Sequence, residues 1–251
     1  MDDGRPNSPG RTGAVDSTTL QPTLGSHFAS GSWEDDAVSS EDAEKSSATE
    51  PNPFAELAPE PQLLRDVAAS TLRRTRLSLD NLERELARTP EADAIPRIRD
   101  LVRADEGTEP DAVTKLLDDL WARVSGRTAY EQLLSLFLVN GIVQDAVLGF
   151  GALHTPAVEF GDELDWSAWQ DEIVATLQAL FERDIHIDDR LAMWGRRTAG
   201  DGVVWTRQFA GIAPGKSADT VVEGAEAGAE AFAGELLVNH SRRMNRLKLP
   251  A

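Results

Sequence analysis

The segment TAYEQLLSLFLVNGIVQDAVLGFGAL, residues 128–153, decides the fold of this chain. It is apolar almost all the way round a helix, and such a helix is enclosed either by other helices or by lipid. The apolar run that begins at Leu133 is long enough to cross a bilayer. However, Asn140, Gln144 and Asp145 interrupt its middle, and an aspartate there costs about 3 kcal/mol on membrane insertion. The segment is therefore predicted to be the central helix of a bundle, with no membrane partner.

Helical spacing of apolar residues continues upstream of this central helix. A first helix is predicted from Pro61 to about Arg88, because its apolar residues recur at steps of three and four. These residues are Leu64, Val67, Ala68, Leu72, Leu79, Leu82 and Leu86. Residues 89–91 (Thr-Pro-Glu) and 108–111 (Thr-Glu-Pro-Asp) both have the pattern of a capped helix start. Gly126 is predicted to end the second of these helices with a left-handed cap.

Two further helices are predicted downstream. Residues 165–199 are predicted to form one helix about 50 Å long, because apolar residues recur at steps of four and three. The positions on this seam are Trp169, Ile173, Leu177, Leu180, Asp184, Ile187, Leu191 and Trp194. Residues 200–202 (Gly-Asp-Gly) are predicted to break it. The last helix is predicted to begin near Ser217, with Gly224 and Gly228 where another part of the chain crosses closely.

The net charge of -18 opposes contact with phosphate backbones or anionic lipid, so no nucleic-acid partner is expected. Residues 1–58 hold 11 acidic residues against three basic ones and show no apolar period. They are predicted to form a disordered acidic tail, and residues 59–251 to form the bundle. An alternative for part of the tail is a short recognition segment around Phe28 and Trp33. No secretory signal is evident at the N-terminus, so a cytoplasmic protein is expected.

Three short motifs carry a family resemblance. They are Asn140-Gly141-Ile142 followed by Asp145, the run RLAMWGRR at 190–197, and His240-Ser241-Arg242-Arg243-Met244. In this order and spacing they resemble an actinobacterial group of ferritin-like proteins, described as similar to the tRNA hydroxylase that acts on methylthio-isopentenyl-adenosine. The resemblance covers roughly residues 128–247. It implies an all-α, ferritin-like, up-down helical bundle and, in active relatives, a di-iron centre that performs oxygen chemistry.

The ligands of such a centre are largely missing here. Carboxylate-bridged di-iron bundles use a Glu from each of two helices and a Glu-x-x-His pair from each of the other two. The residues three positions before the four histidines are Leu24, Gly151, Arg183 and Leu237, so no Glu-x-x-His exists. The resemblance also implies a histidine early in the long helix, where this chain has Trp166 and Trp169. Asp145 is the one ligand that the resemblance carries over.

Three residues remain as candidates for a metal or proton-transfer site: Asp145, Asp184 and His240. Asp184 has two other interpretations, a buried pair with an arginine such as Arg190 or a bond to a helix end, and exposure to solvent if the seam twists. For Asp145 and the other polar residues of the central helix, interhelical hydrogen bonds are favoured over ligand binding. For His240, a hydrogen-bonded core position is favoured.

The sequence therefore predicts a ferritin-like bundle that binds no cofactor and is not an enzyme. Its expected mode of action is association with a second copy of itself or with another protein. One alternative is an oxygen-dependent di-iron hydroxylase with an unusual ligand set, in which Asp145, Asp184 and His240 converge. A second alternative is a regulatory bundle that binds a small ligand in a closed apolar pocket lined by tryptophans.

Overall fold

The computed structural model describes residues 52–251, which form seven α-helices, three short 3₁₀ helices and no strand. The helices are α1 (Pro61–Glu85), α2 (Ala94–Leu101), α3 (Asp111–Val124), α4 (Ala129–Ala152), α5 (Ser167–Arg183), α6 (Ile187–Phe209) and α7 (Glu226–Arg246). The predicted all-α class is confirmed. The predicted tail lies mostly outside the described residues, as do Phe28 and Trp33.

Helix α4 is the centre of the bundle, as predicted. Thr128 and Glu131 form a capping box at its start, in which each side chain accepts a hydrogen bond from the backbone of the other. Among residues 52–251, α4 is the one helix long and apolar enough to cross a membrane, and 78% of that apolar window is buried inside the bundle. Helices α1, α5, α6 and α7 pack around it. That burial is typical of the core helix of a soluble bundle.

Two contacts between α1 and α4 show how these helices run relative to each other. The His154 ring, just after the end of α4, lies 3.0 Å from the carbonyl oxygen of Pro59, just before the start of α1. Asn140, in the middle of α4, contacts Thr75, in the middle of α1. The two helices are therefore antiparallel. All seven predicted apolar residues of α1 are buried, so the spacing predicted its packed face correctly.

The predicted single helix over residues 165–199 is wrong. The chain leaves the helical conformation at Asp184, where α5 ends, and α6 begins at Ile187. The Asp184 carboxylate accepts a hydrogen bond from the backbone N–H of His186 at 3.1 Å, a local bond that competes with helix. Apolar spacing continues across the break because α5 and α6 both turn apolar faces, including Ile187 and Leu191, to the same core.

The predicted break at residues 200–202 is also wrong, because α6 is continuous to Phe209. A Cβ atom on Gly202 would lie 2.6 Å from Cδ1 of Ile142 in α4. Gly200 faces open space, because a Cβ atom there would have nothing within 4 Å of it. Gly202 therefore allows two helices to approach closely, and close packing outweighs the low helix propensity of glycine.

The start of α7 lies nine residues beyond the predicted one. Ser217 caps the 3₁₀ helix Ala218–Thr220 instead, and Gly224 adopts φ +81 in the turn before α7. Gly228 does lie at a close approach, because its Cβ would be 2.4 Å from Cβ of Phe54. The prediction was correct for Gly228 and wrong for Gly224, whose positive φ is the conformation that glycine permits most readily.

Three predictions upstream of α4 also need correction. Helix α2 begins at Ala94 rather than at Pro90, and α3 ends without a left-handed residue. Gly126 is needed for space, because its Cβ would lie 2.3 Å from the backbone nitrogen of Gln132. The bundle also begins before residue 59, since Pro53–Leu57 form a 3₁₀ helix that buries Phe54 and Leu57.

The two glycines of α6 give a matched test of this packing. Gly200→Ala should raise the free energy of unfolding by about 0.5–1 kcal/mol, because alanine is the better helix former and the site is open. Gly202→Ala should lower it by about 1–2 kcal/mol, because the new methyl group meets Ile142. Chemical denaturation of both variants measures the difference. Equal stabilisation by both would contradict the close contact of α4 with α6.

Candidate functional site

The polar residues in the middle of α4 bind neighbouring helices. Asn140 is fully buried and donates a hydrogen bond to the Thr75 hydroxyl at 3.0 Å, which links α4 to α1. The Gln144 amide donates to the carbonyl oxygen of Leu164 at 2.6 Å and accepts from Gln170 of α5 at 3.3 Å. The favoured interpretation of these residues as interhelical contacts is confirmed.

Asp145 forms an ion pair with Arg243 of α7. The guanidinium Nη2 lies 2.7 Å from the Asp145 carboxylate, and the two side chains are only 12% and 16% exposed. The same Nη2 donates a hydrogen bond to the carbonyl oxygen of Gly141 at 2.9 Å. A Cβ on Gly141 would lie 2.0 Å from Arg243 Nε, so a larger residue there would displace this arginine from its position. Gly141 therefore makes space for Arg243.

Burial and Arg243 act in opposite directions on Asp145. Removal from water raises the pKa of the Asp145 carboxyl, and the positive charge of Arg243 partly offsets that rise. The ion pair is not fully satisfied, because Asp145 Oδ2 and Arg243 Nη1 are buried and lack a hydrogen-bond partner of good geometry. Asp145 and Arg243 therefore form a compact buried pair that holds α4 against α7.

His240 lies one turn before Arg243 on α7 and is only 3% exposed. Burial is the main reason that its pKa falls to about 4, the charge of Arg243 adds to the fall, and the backbone of Gly195 partly opposes it. The imidazole is therefore neutral at pH 7. Neither ring nitrogen has a partner that meets hydrogen-bond geometry, so the core position is confirmed but the predicted hydrogen bonding is not.

Asp184 lies far from Asp145, Arg243 and His240. It is exposed in the link between α5 and α6, where its carboxylate bonds the backbone of His186. That link lies at the end of the bundle where Arg190 approaches Glu131. Asp145 lies about four turns further along α4, or ~21 Å. The prediction of a buried arginine pair for Asp184 is wrong, and the interpretations as a helix-end bond and as a solvent-exposed residue are both correct.

The donor set does not fit a pair of iron ions. Asp145 is already bound by a guanidinium, Asp184 is remote, and His240 is one neutral imidazole. Within residues 52–251, no group of three or more His, Cys, Asp or Glu side chains is placed to hold a metal ion. Di-iron bundles need several inward carboxylates and two histidines. The structure thus places one cation, Arg243, beside the carboxylate that the family resemblance assigns to metal.

The sequence alone does not predict Arg243 as the partner of Asp145. Basic residues at the end of a helix are explained equally well as a complement to the helix dipole. Spacing shows that Arg243 lies one turn beyond His240, but it does not show which helix that face contacts. The one available signal is Gly141, a glycine inside an otherwise strong helical pattern, which indicates close approach by another group.

Two cavities bear on the ligand-binding alternative. The apolar cavity beside Phe54, Phe150 and Phe232 measures about 10 Å³, far below the size of a small-molecule site. A larger groove of about 400 Å³ lies between α1, α2 and α5. That groove is lined by four acidic residues together with Trp166 and Trp169, so it is not apolar. It differs from the closed, tryptophan-lined apolar pocket that the alternative predicts.

A scan against protein-family models and a search of curated proteins find no match to this chain. Arguments about its function therefore depend on the geometry described above.

The pair of Asp145 and Arg243 can be tested by a double-mutant cycle. Arg243→Leu should lower the free energy of unfolding by about 3 kcal/mol, because it leaves the Asp145 carboxylate buried without its cation. Adding Asp145→Leu should restore much of that loss, since no uncompensated charge remains. Urea denaturation of the two single variants and the double variant gives the coupling energy. Additive losses would contradict the pairing.

The depressed pKa of His240 predicts a loss of stability in acid. Its folded pKa of about 4 lies below the usual 6.5, so the unfolded chain binds more protons between these values. The contribution of neutral His240 is complete above pH 6.5 and should fall by up to about 3 kcal/mol as the pH drops to 4. Comparing the free energy of unfolding of His240→Leu with that of the original chain at several pH values measures the pH-dependent contribution of His240.

Proposed function

We propose that this protein is a non-catalytic helical bundle that acts by associating with another protein chain through its outer helix faces. The observation that carries the proposal is the Arg243 guanidinium bound to Asp145. A carboxylate that ligates a metal must present its oxygens to that metal, and here a side-chain cation already holds that position. The ferritin-like architecture implied by the resemblance is part of the proposal.

The surface of the described residues supports association. Several large apolar side chains are exposed on α6 and α7, which pack against each other. They include Val204, Leu237 and Val238, at 37%, 43% and 51% exposure. Scattered apolar residues are normal on a monomer, whereas Leu237 and Val238 are consecutive on α7 and favour a protein-binding surface there.

The charge distribution supports a protein partner over a nucleic acid. Two of the four basic residues at the end of α7 are engaged within the bundle, Arg243 with Asp145 and Arg246 with Asp171. Phosphate binding depends on clustered free basic groups. The rival hydroxylase requires Asp145, Asp184 and His240 around one centre, and the exposed position of Asp184 supports the non-catalytic proposal instead.

Iron analysis tests the proposal directly. The full chain expressed in iron-supplemented medium should contain far less than one iron per chain and show no oxo-bridged absorption band. Adding Fe²⁺ under anaerobic conditions should not raise the unfolding temperature, because a ligand that does not bind the folded state cannot stabilise it. Near-stoichiometric iron, with stabilisation by Fe²⁺ that Asp145→Asn abolishes, would overturn the proposal.

A further inference from the structure

A cleft of about 230 Å³ lies where the end of α5, the start of α6 and the segment after α7 meet. Three charged side chains line it: Glu182 of α5, Asp188 of α6 and Lys248 after α7. None of the three forms an ion pair within residues 52–251. The cleft therefore brings together one cation and two carboxylates that do not neutralise one another directly.

The backbone of Lys248 adopts an unusual conformation at this cleft. Its φ of +57 is the one positive φ outside glycine among residues 52–251. The turn that ends α7 requires it, because the N–H of Lys248 bonds the carbonyl of Asn245 at 2.9 Å and that of Leu249 bonds Met244 at 3.0 Å. Glycine is the usual residue at this position of a helix end. Strained non-glycine residues of this kind are concentrated at binding and active sites.

The apolar wall of the cleft is fixed by the fold. Leu247 and Leu249, on either side of the lysine, are only 1% and 2% exposed, and half-buried Phe181 completes the wall. The Gln178 amide donates a hydrogen bond to the carbonyl oxygen of Arg246 at 2.8 Å, which ties α5 to the end of α7. Sites for small molecules are usually preformed in this way, with apolar walls and a few polar groups.

The charges of the cleft identify the class of ligand. A ligand with one carboxylate and two cationic groups complements Lys248, Glu182 and Asp188 together. A polyamine would place a cation beside the lysine, and a phosphate would meet two carboxylates. A basic amino acid has the required three charges, joined by a methylene chain that can pack on Phe181. The volume is also below the roughly 300–1,000 Å³ of sites for larger ligands.

We propose that this cleft binds a free basic amino acid, with its α-carboxylate at the Lys248 ammonium and its two cationic groups at Glu182 and Asp188. The site goes beyond the proposed function, because a small molecule bound here requires no partner chain. Hydrogen bonds between ionised groups are stronger than those between neutral groups, and three of them fix the orientation of the ligand.

Isothermal titration calorimetry of the full chain with L-arginine, at physiological salt, should show one site per chain. Agmatine lacks the α-carboxylate, and L-citrulline lacks the charge of the guanidinium group. Each should bind about tenfold or more weakly than L-arginine, because each leaves a charged group of the cleft without its partner. Agmatine carries more positive charge than L-arginine, so attraction to the acidic surface alone would give the opposite order.

Lys248→Gly separates binding from folding. It removes the ammonium and also relieves the positive φ, so it should raise the unfolding temperature while weakening L-arginine binding about tenfold or more. Glu182→Gln should weaken L-arginine binding as well. Lys216→Met, at an exposed lysine that does not line the cleft, should bind L-arginine as the original chain does.

Three outcomes would overturn the proposal. The first is the absence of saturable binding at L-arginine concentrations up to about 10 mM. The second is binding of agmatine that equals or exceeds that of L-arginine. The third is unchanged L-arginine binding by a folded Lys248→Gly variant.

Discussion

The constraint on which the rest of the structure depends is the removal of α4 from water. A buried polar group must find a partner inside the protein, because leaving one unpaired costs more than the net value of an ordinary hydrogen bond. Asn140, Gln144 and Asp145 therefore each need a specific neighbour, and they find it in α1, in the segment before α5, and in α7. Apolar packing alone would let these helices slide along α4. The polar contacts fix their register.

The sequence predicted well those features that depend on one helix alone. The buried face of α1 and the span of α4 follow from the apolar pattern within each helix. The failures at Asp184 and Gly202 share one cause, which is that spacing reports how residues face a core and not whether the backbone is continuous. Asp184 ends a helix within an unbroken apolar pattern, and Gly202 continues one through an apparent break. The break at Asp184 carries a local hydrogen bond from the His186 backbone, whereas Gly202 is explained by the close approach of Ile142 in the neighbouring helix.

The sequence predicted which residues belong to the candidate site, but it did not predict the ion pair between Asp145 and Arg243. Polarity inside an apolar helix identified Asp145, and position near the seam of the last helix identified His240. Arg243 was missed because a long side chain on a basic helix end can turn outward to water or inward to a carboxylate, and its own sequence context is the same in both cases. The deciding feature lies on the other helix, in the missing side chain of Gly141. Asp184 was misplaced because the break in the helix was not predicted.

A buried carboxylate is stabilised by a nearby positive charge, and either a metal ion or an arginine can supply that charge. The cost of desolvating Asp145 must be offset by a nearby positive charge, and a guanidinium held over Gly141 supplies one without any further ligands. A metal ion would require several converging donors from different helices, so each lost donor weakens the whole site. An arginine requires one open backbone position. Under the proposed function, this substitution removes the need for inward carboxylates and histidines while keeping α4 and α7 together.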